Sequence, residues 1–120
     1  MLTNNEIYKL ANDLQRAFED NTQYLPAKVN FYIQKNKATL LTLAQEIERS
    51  RLAILQNYGT PNETTGNYEF TGDSAQKVVA ELNDLFAIEQ DVNIYKVDID
   101  AFGELSLTTG QMEALLFMIN

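Results

Sequence analysis

Histidine and cysteine are both missing from this 120-residue chain. Without histidine the usual general base, proton shuttle and imidazole metal ligand are gone. Without cysteine there is no disulfide, no thiolate nucleophile and no indication of redox compartment. No Ser-His-Asp or Cys-His constellation can be built. Glycine is sparse, five in all, and Gly59, Gly66, Gly72, Gly103 and Gly110 stand singly. That excludes a phosphate-cradling P-loop and a dinucleotide-binding G-x-G-x-x-G turn. Long apolar runs are also absent: Ala114 to Ile119 and Leu40 to Ala44 fall far short of the roughly 20 residues that span a bilayer. The opening Met1-Leu2-Thr3-Asn4-Asn5-Glu6 has neither the basic nor the apolar region of a secretory leader, so a cytoplasmic protein is expected.

What is present is ordinary globular material, 45% hydrophobic and 22% charged, in a length that suits one domain, residues 1–120. The net charge of -8 is unevenly spread. Residues 1–58 hold seven Lys or Arg against six Asp or Glu, +1, and residues 59–120 hold two against eleven, -9. The acidic half should repel nucleic acid and anionic membrane, so neither is expected as a partner. The plain reading of that half is a solvating surface. A sharper one sets the basic helix against the acidic half, within a protomer or between protomers. A DNA mimic would need acids spaced like phosphates.

Along the chain, Thr3-Asn4-Asn5-Glu6 has the form of a capping box, and Ile7, Leu10, Ala11, Leu14, Ala17 and Phe18 follow at helical spacing. The pattern fades into a turn at Glu19-Asp20-Asn21-Thr22. Pro26 then suits the first position of a second helix, and no helix breaker occurs before Gly59. At ~1.5 Å per residue this helix is about 48 Å long. Its stripe of Val29, Ile33, Asn36, Leu40, Leu43, Ile47, Arg51, Ile54 and Tyr58 advances by threes and fours, a heptad-like seam. The first helix covers only half of that seam. Ile47 and Ile54 need cover from the C-terminal half or from another subunit, which makes a homo-oligomer an expectation.

Residues 59–67 read as a loop, Tyr68-Glu69-Phe70 as a short strand, and Gly72-Asp73-Ser74 as a break offering a helix cap. Val78, Val79, Leu82, Leu85 and Phe86 mark one face of a third helix. Asp91 to Asp100 reads as a strand apolar on both faces, with Leu105 and Leu107 on a returning strand. A short terminal helix from Thr108-Thr109-Gly110 would turn Met112, Leu115, Leu116 and Ile119 inward. The expected fold class is α+β: an N-terminal antiparallel helix hairpin (1–58) with one long helix, then an acidic half (59–120) with a small β-sheet and two short helices.

Two stretches carry a resemblance. Leu25-Pro26-Ala27-Lys28-Val29, Lys35-Asn36, Leu40, Glu46-Ile47-Glu48, Arg51 and Tyr58-Gly59 form the first; Val92 to Ile99, Leu105-Ser106-Leu107 and Gln111 to Ile119 form the second. Together they resemble a family of small uncharacterised proteins of phages and prophages of Gram-positive bacteria. The resemblance covers most of the chain and consists of helix and strand patterning, with no catalytic signature. It implies a phage accessory protein and assigns no role to any residue.

The remaining chemistry is thin. Asp98 and Asp100 share a strand face, as do Asp91 and Asn93, but acids are common in a chain with seventeen of them. Asp98 to Gly103 echoes the start of a calcium loop and fails at Phe102 and Thr109, where charge is required. Asn62-Glu63-Thr64 fits a glycosylation sequon, which has no consequence in a cytoplasmic protein. No catalytic residue, metal site or cofactor is therefore expected. The polar residues of interest lie on the second helix. Asn36 and Arg51 fall on its seam, where each needs a partner. In the structural reading Asn36 fixes register and Arg51 pairs with an acid of the C-terminal half. In the functional reading Arg51 and Asn36, the Lys28/Lys35/Arg49 stripe and an aromatic such as Tyr58 or Tyr95 hold an anionic ligand between subunits. Function is thus expected to be stoichiometric binding. It would act in the host cytoplasm on a nucleotide-derived immune signal or a host defence protein, or in the virion as a tail-assembly or adapter part.

Overall fold

The computed structural model describes residues 1–18, 25–103 and 107–120. Thr3 closes a two-residue strand, β1 (Leu2–Thr3), and caps helix α1 (Asn4–Ala17). Its hydroxyl accepts the Glu6 N–H at 3.1 Å, and the Glu6 carboxylate accepts the Thr3 N–H at 3.2 Å. This is the expected capping box, and its loss costs about 1 kcal/mol in comparable helices. Ile7, Ala11, Leu14 and Phe18 are buried, while Leu10 and Ala17 are half-buried.

Helix α2 runs Ala27–Tyr58, 32 residues, with Pro26 as its cap rather than its first helical residue. The Tyr8 hydroxyl reaches Glu48, late in α2, while the end of α1 leads into the start of α2; the two helices are therefore antiparallel. Val29, Ile33, Asn36, Leu40, Ala44 and Ile47 are buried along α2. The seam steps from Leu40 to Ala44, leaving Leu43 half-buried, because a 3.6-residue repeat drifts off a strict heptad.

Helix α3 (Asp73–Ala87) lies against α2 and α1 and covers the far half of α2. Tyr58, at the end of α2, donates its hydroxyl to Glu81 of α3 at 3.3 Å. Along this part of α2 Ile47 is buried and Ile54 half-buried. The chain supplies its own cover, so the unequal lengths of the first two helices no longer argue for a second subunit. The cap falls within the expected Gly72-Asp73-Ser74 break, at Gly72, and no side chain bonds to the first turn of α3.

Two antiparallel strand pairs complete an α+β fold. Strand β2 (Thr60–Pro61) pairs with β3 (Tyr68–Glu69), so the stretch expected to be plain loop closes as a hairpin. Asn62 organises its tip: its carboxamide accepts the Thr64 N–H at 2.9 Å and donates to Glu69 at 2.6 Å. Strand β4 (Glu89–Gln90) pairs with β1. Buried Asn4 clamps this corner, donating to the Leu85 carbonyl at 2.8 Å and accepting from the Gln90 side chain at 2.6 Å.

The expected strand over 91–100 is not formed as a ladder. Among the described residues only Val97 in this stretch bridges, parallel to Ile119, and Ile99–Phe102 is a 3-10 turn. Val92 and Ile94 are half-buried, Val97 is buried and Ile99 is exposed, so the apolar alternation changes phase and does not fill two faces. Leu107 lies in no strand, and Leu105 and the expected turn at 19–22 fall outside the described residues. Helix α4 (Thr109–Leu115) tightens into a 3-10 turn over Leu116–Met118. With three residues per turn, Met118 falls beneath Leu115 and both are buried, while Leu116, expected inside, is 61% exposed.

One core runs through both halves, from Ile7, Leu14 and Ile33 to Val97, Phe102, Leu115 and Met118. The molecule is elongated, 57 × 32 × 20 Å, with a radius of gyration of 18.0 Å. A spherical domain of this length would have about 14 Å. Much of α2 is consequently left with a free outer face.

Candidate functional site

Lys28, Phe31, Tyr32 and Lys35 occur at i, i+3, i+4 and i+7 of α2, the spacing that gathers side chains on one face. The seam residues Val29, Ile33 and Asn36 are buried against the core on the neighbouring side of the helix, about 120° round. Phe31 is 54% exposed and Tyr32 half-buried. The Lys28 ammonium sits 5.7 Å above the Tyr32 ring, and the Lys35 ammonium 5.6 Å above Phe31. The Phe31 and Tyr32 centroids are 6.2 Å apart. Tyr95, from the extended segment after β4, tilts onto Tyr32 with centroids 5.3 Å apart and planes at 40°. Three rings and two ammonium groups thus form one continuous surface, each cation–π contact contributing about 0.5–1 kcal/mol when exposed.

Asn36 fixes Tyr95 in that position. Its Nδ2 donates to the Tyr95 carbonyl and its Oδ1 accepts the Tyr95 N–H, both at 2.9 Å. A further 3.5 Å contact runs from Nδ2 to the Met118 sulfur. Two residues on, the Val97 N–H donates to the Met118 carbonyl and the Val97 carbonyl accepts the Asn120 N–H, each at 2.9 Å. Successive pairs along one edge of the segment are thus satisfied first by a carboxamide and then by backbone. In effect the Asn36 side chain substitutes for a neighbouring strand. Its own polar atoms are all engaged, so its part is to position rather than to touch a ligand.

Of the expected site residues, the fold brings together Lys28, Lys35, Asn36 and Tyr95. It keeps Arg49, Arg51 and Tyr58 apart from them. Arg49 is exposed about 21 Å along the helix from Lys35, and Arg51 lies about 35 Å from Lys28. Phe31 and Tyr32 complete the face and were not singled out from sequence. The available signal was a pair of aromatics lying off the seam, three and four residues after a lysine.

Arg51 pairs with Glu48 of its own helix, not with an acid of the C-terminal half. Its Nε donates to Glu48 Oε2 at 2.9 Å and its Nη2 to Oε1 at 2.6 Å. The Tyr8 hydroxyl adds a bond to Oε2 at 3.1 Å, and the Tyr8 ring meets Phe86 edge-on at 5.9 Å. This group ties α1, α2 and α3 together. The Arg51 guanidinium holds the Glu48 carboxyl below the ordinary carboxylate range, with the Tyr8 bond acting the same way. Hydrogen bonding to Glu48 raises Arg51 further, and burial raises Tyr8. A depressed folded-state pKa means stability that is complete above the unfolded value and lost as pH falls through the folded one. Glu48→Gln should therefore flatten the acid limb of a stability–pH profile below about pH 4.3. At neutral pH it should cost about 0.5 kcal/mol, since the pair is a third exposed. Equal acid limbs in both proteins, measured by urea denaturation, would count against the assignment. At the far end of α2, the Glu81 charge raises the Tyr58 hydroxyl.

Among its described residues the acidic half offers no comparable assembly. The Asp98 carboxylate accepts the Asn120 side chain at 3.1 Å. Among the described residues no three acids gather closely enough to hold a metal ion, and no helix is long and apolar enough to cross a membrane. No family model, curated protein or solved structure matches the chain.

Proposed function

We propose that this chain is a non-enzymatic binding protein whose working surface is the Lys28–Phe31–Tyr32–Lys35–Tyr95 face, and that its ligand is an anion carrying a flat ring, of the nucleotide class. The observation that carries this is the pairing of ring and cation: each ammonium lies over an aromatic face, with an exposed ring beside it. Rings stack a nucleobase and ammonium groups receive its phosphates. The anchoring of Tyr95 by Asn36 supports the same reading, because a ring on fixed backbone loses little freedom on binding. Joined to the resemblance to phage proteins, this makes the chain an accessory protein that holds a nucleotide-derived immune signal of the host, stoichiometrically and without turnover.

Calorimetric titration with a mononucleotide, a cyclic dinucleotide and a ribose-diphosphate nucleotide tests the reading. At least one should bind. Tyr32→Ala should weaken it about tenfold, the loss of roughly 1.4 kcal/mol of stacking, and Lys28→Glu with Lys35→Glu should abolish it. Absence of heat with all three ligands would sink the proposal. A second reading, a virion or tail-assembly adapter docking by α2, is favoured by the 57 Å length and the uncovered outer face of that helix. It predicts the protein at fixed copy number in purified virions.

A further inference from the structure

We infer that residues 92–96 present an open strand edge, and that its partner is an extended peptide segment, alternately apolar and basic, which adds to it as a further strand. The inference goes beyond the nucleotide reading: that one rests on side chains of α2 and Tyr95, this one on backbone groups. In an extended chain the N–H and C=O groups of successive residues point to opposite edges. The Asn4 N–H donates to the Ile88 carbonyl at 2.8 Å, and β1 pairs Leu2 with Gln90, so even-numbered residues face β1 where the stretch begins. Asn36 bonds to Tyr95, and Met118 and Asn120 bond to Val97, so odd-numbered residues face the other edge where it ends. Between these anchors burial alternates as in a strand: Asp91, Asn93 and Tyr95 are exposed, Val92 and Ile94 half-buried. The N–H and C=O groups of Ile94 and Lys96 therefore point along the edge that β1 occupies farther back. Among the described residues none bonds to them. Met1, opposite Asp91 in the β1 register, is 78% exposed, so this lane leads into solvent.

Such an edge specifies what it takes. Its donors and acceptors recur every second residue, about 6.6 Å apart, which is the repeat of another extended backbone. The side chains of an added strand continue the two faces it joins. On one face they extend the row of Val92 and Ile94, which packs against the core, so alternate residues of the partner are apolar. On the other they extend the exposed row of Asp91 and Asn93. Residues 59–120 hold two Lys or Arg against eleven Asp or Glu, so basic residues suit the partner's positions on this outer row. Charge draws the partner in and the backbone fixes its register.

The probe is a peptide of about seven residues alternating lysine and valine, blocked at both ends. It is titrated into the full chain while amide hydrogen exchange is followed by NMR. In the free chain Ile94 and Lys96 should exchange fast while Tyr95 and Val97 are protected. Bound peptide, one per chain, should slow Ile94 and Lys96 about tenfold. The same peptide N-methylated throughout keeps its side chains and charge but has no backbone donors, and it should not protect them. Lys96→Pro removes one outward N–H and leaves the bonds of Tyr95 and Val97. It should weaken the peptide about fivefold, one hydrogen bond's worth, whereas Lys96→Ala should change affinity by less than about twofold. Continued protection of Tyr95 verifies that the proline variant is folded. Ile94 and Lys96 amides as protected in the free chain as Tyr95 would overturn the inference, as would no slowing at about 1 mM peptide. Equal binding by the methylated peptide would reduce the contact to charge and also overturn it. A dimer of the free chain that protects the same two amides would give the edge to a second copy and reject the peptide.

Discussion

Asn36→Ala is expected to cost about 3 kcal/mol of folding stability, read as a lower urea midpoint at unchanged slope and a melting temperature reduced by roughly 10 °C. The estimate is built from what the truncation leaves behind. Asn36 is fully buried, and the Tyr95 N–H and carbonyl both face its carboxamide. Each buried backbone group stripped of its partner costs about 1–3 kcal/mol, and the void left by the side chain adds to that. Asn36→Asp separates the contributions. It keeps the acceptor for the Tyr95 N–H but sets a carboxylate against the Tyr95 carbonyl and the Met118 sulfur. Burial would raise the pKa of that new acid in the folded state. A raised folded-state pKa puts the stability on the acid side, to be lost as pH rises. Asn36→Asp should therefore be less stable than Asn36→Ala at pH 7 and gain on it toward pH 4. A loss below 1 kcal/mol in Asn36→Ala would mean that water replaces the carboxamide, and Asn36 would then no longer be what holds Tyr95 under the Tyr32 ring.

That dependence also explains which parts of the molecule were legible beforehand. The capping box at Thr3 and the seam from Val29 to Ile47 are local or periodic signals, and both were readable along the chain. The segment 91–100 has the composition of a strand, and composition cannot show where its hydrogen bonds go. They go to a side chain 59 positions earlier and to the last residues of the chain, partners that only the tertiary fold brings near. The same separation hid the site. Asn36 stands out as a polar residue on an apolar seam, and Lys28 and Lys35 as a stripe, but nothing local says that Tyr95 arrives on Tyr32. Arg51 differs, because its partner is local. Its partner Glu48 lies three residues back on the same helix, where i, i+3 pairing was available to be read.

Gly59 and Gly110 carry the same sequence signal, a lone glycine at a helix boundary, yet their alanine variants should move stability in opposite directions. Gly59 ends α2 with φ -110 and ψ 160, an extended conformation open to any residue, so backbone freedom is not the reason for glycine there. Space is the reason. A β-carbon at position 59 would stand 2.6 Å from Phe70 Cε1, 2.8 Å from the Leu55 carbonyl oxygen and 3.0 Å from Tyr68 Cβ. The Phe70 ring can swing aside, but the Leu55 oxygen is helix backbone and already accepts the Gly59 N–H at 2.8 Å. Relief requires the β2–β3 hairpin to lift off the end of α2, and crowding of this kind costs about 1–3 kcal/mol. Gly110 lies in the first turn of α4 with nothing within 4 Å of an added β-carbon. Alanine there removes the flexibility of glycine from the unfolded chain and should stabilise by about 0.5–1 kcal/mol. Paired thermal denaturations decide the matter. Gly59→Ala should melt several degrees below the wild type and Gly110→Ala slightly above it. Equal melting temperatures for Gly59→Ala and the wild type would show that the hairpin rides loosely on α2, and that the helix ends at Gly59 without help from the residues packed over it.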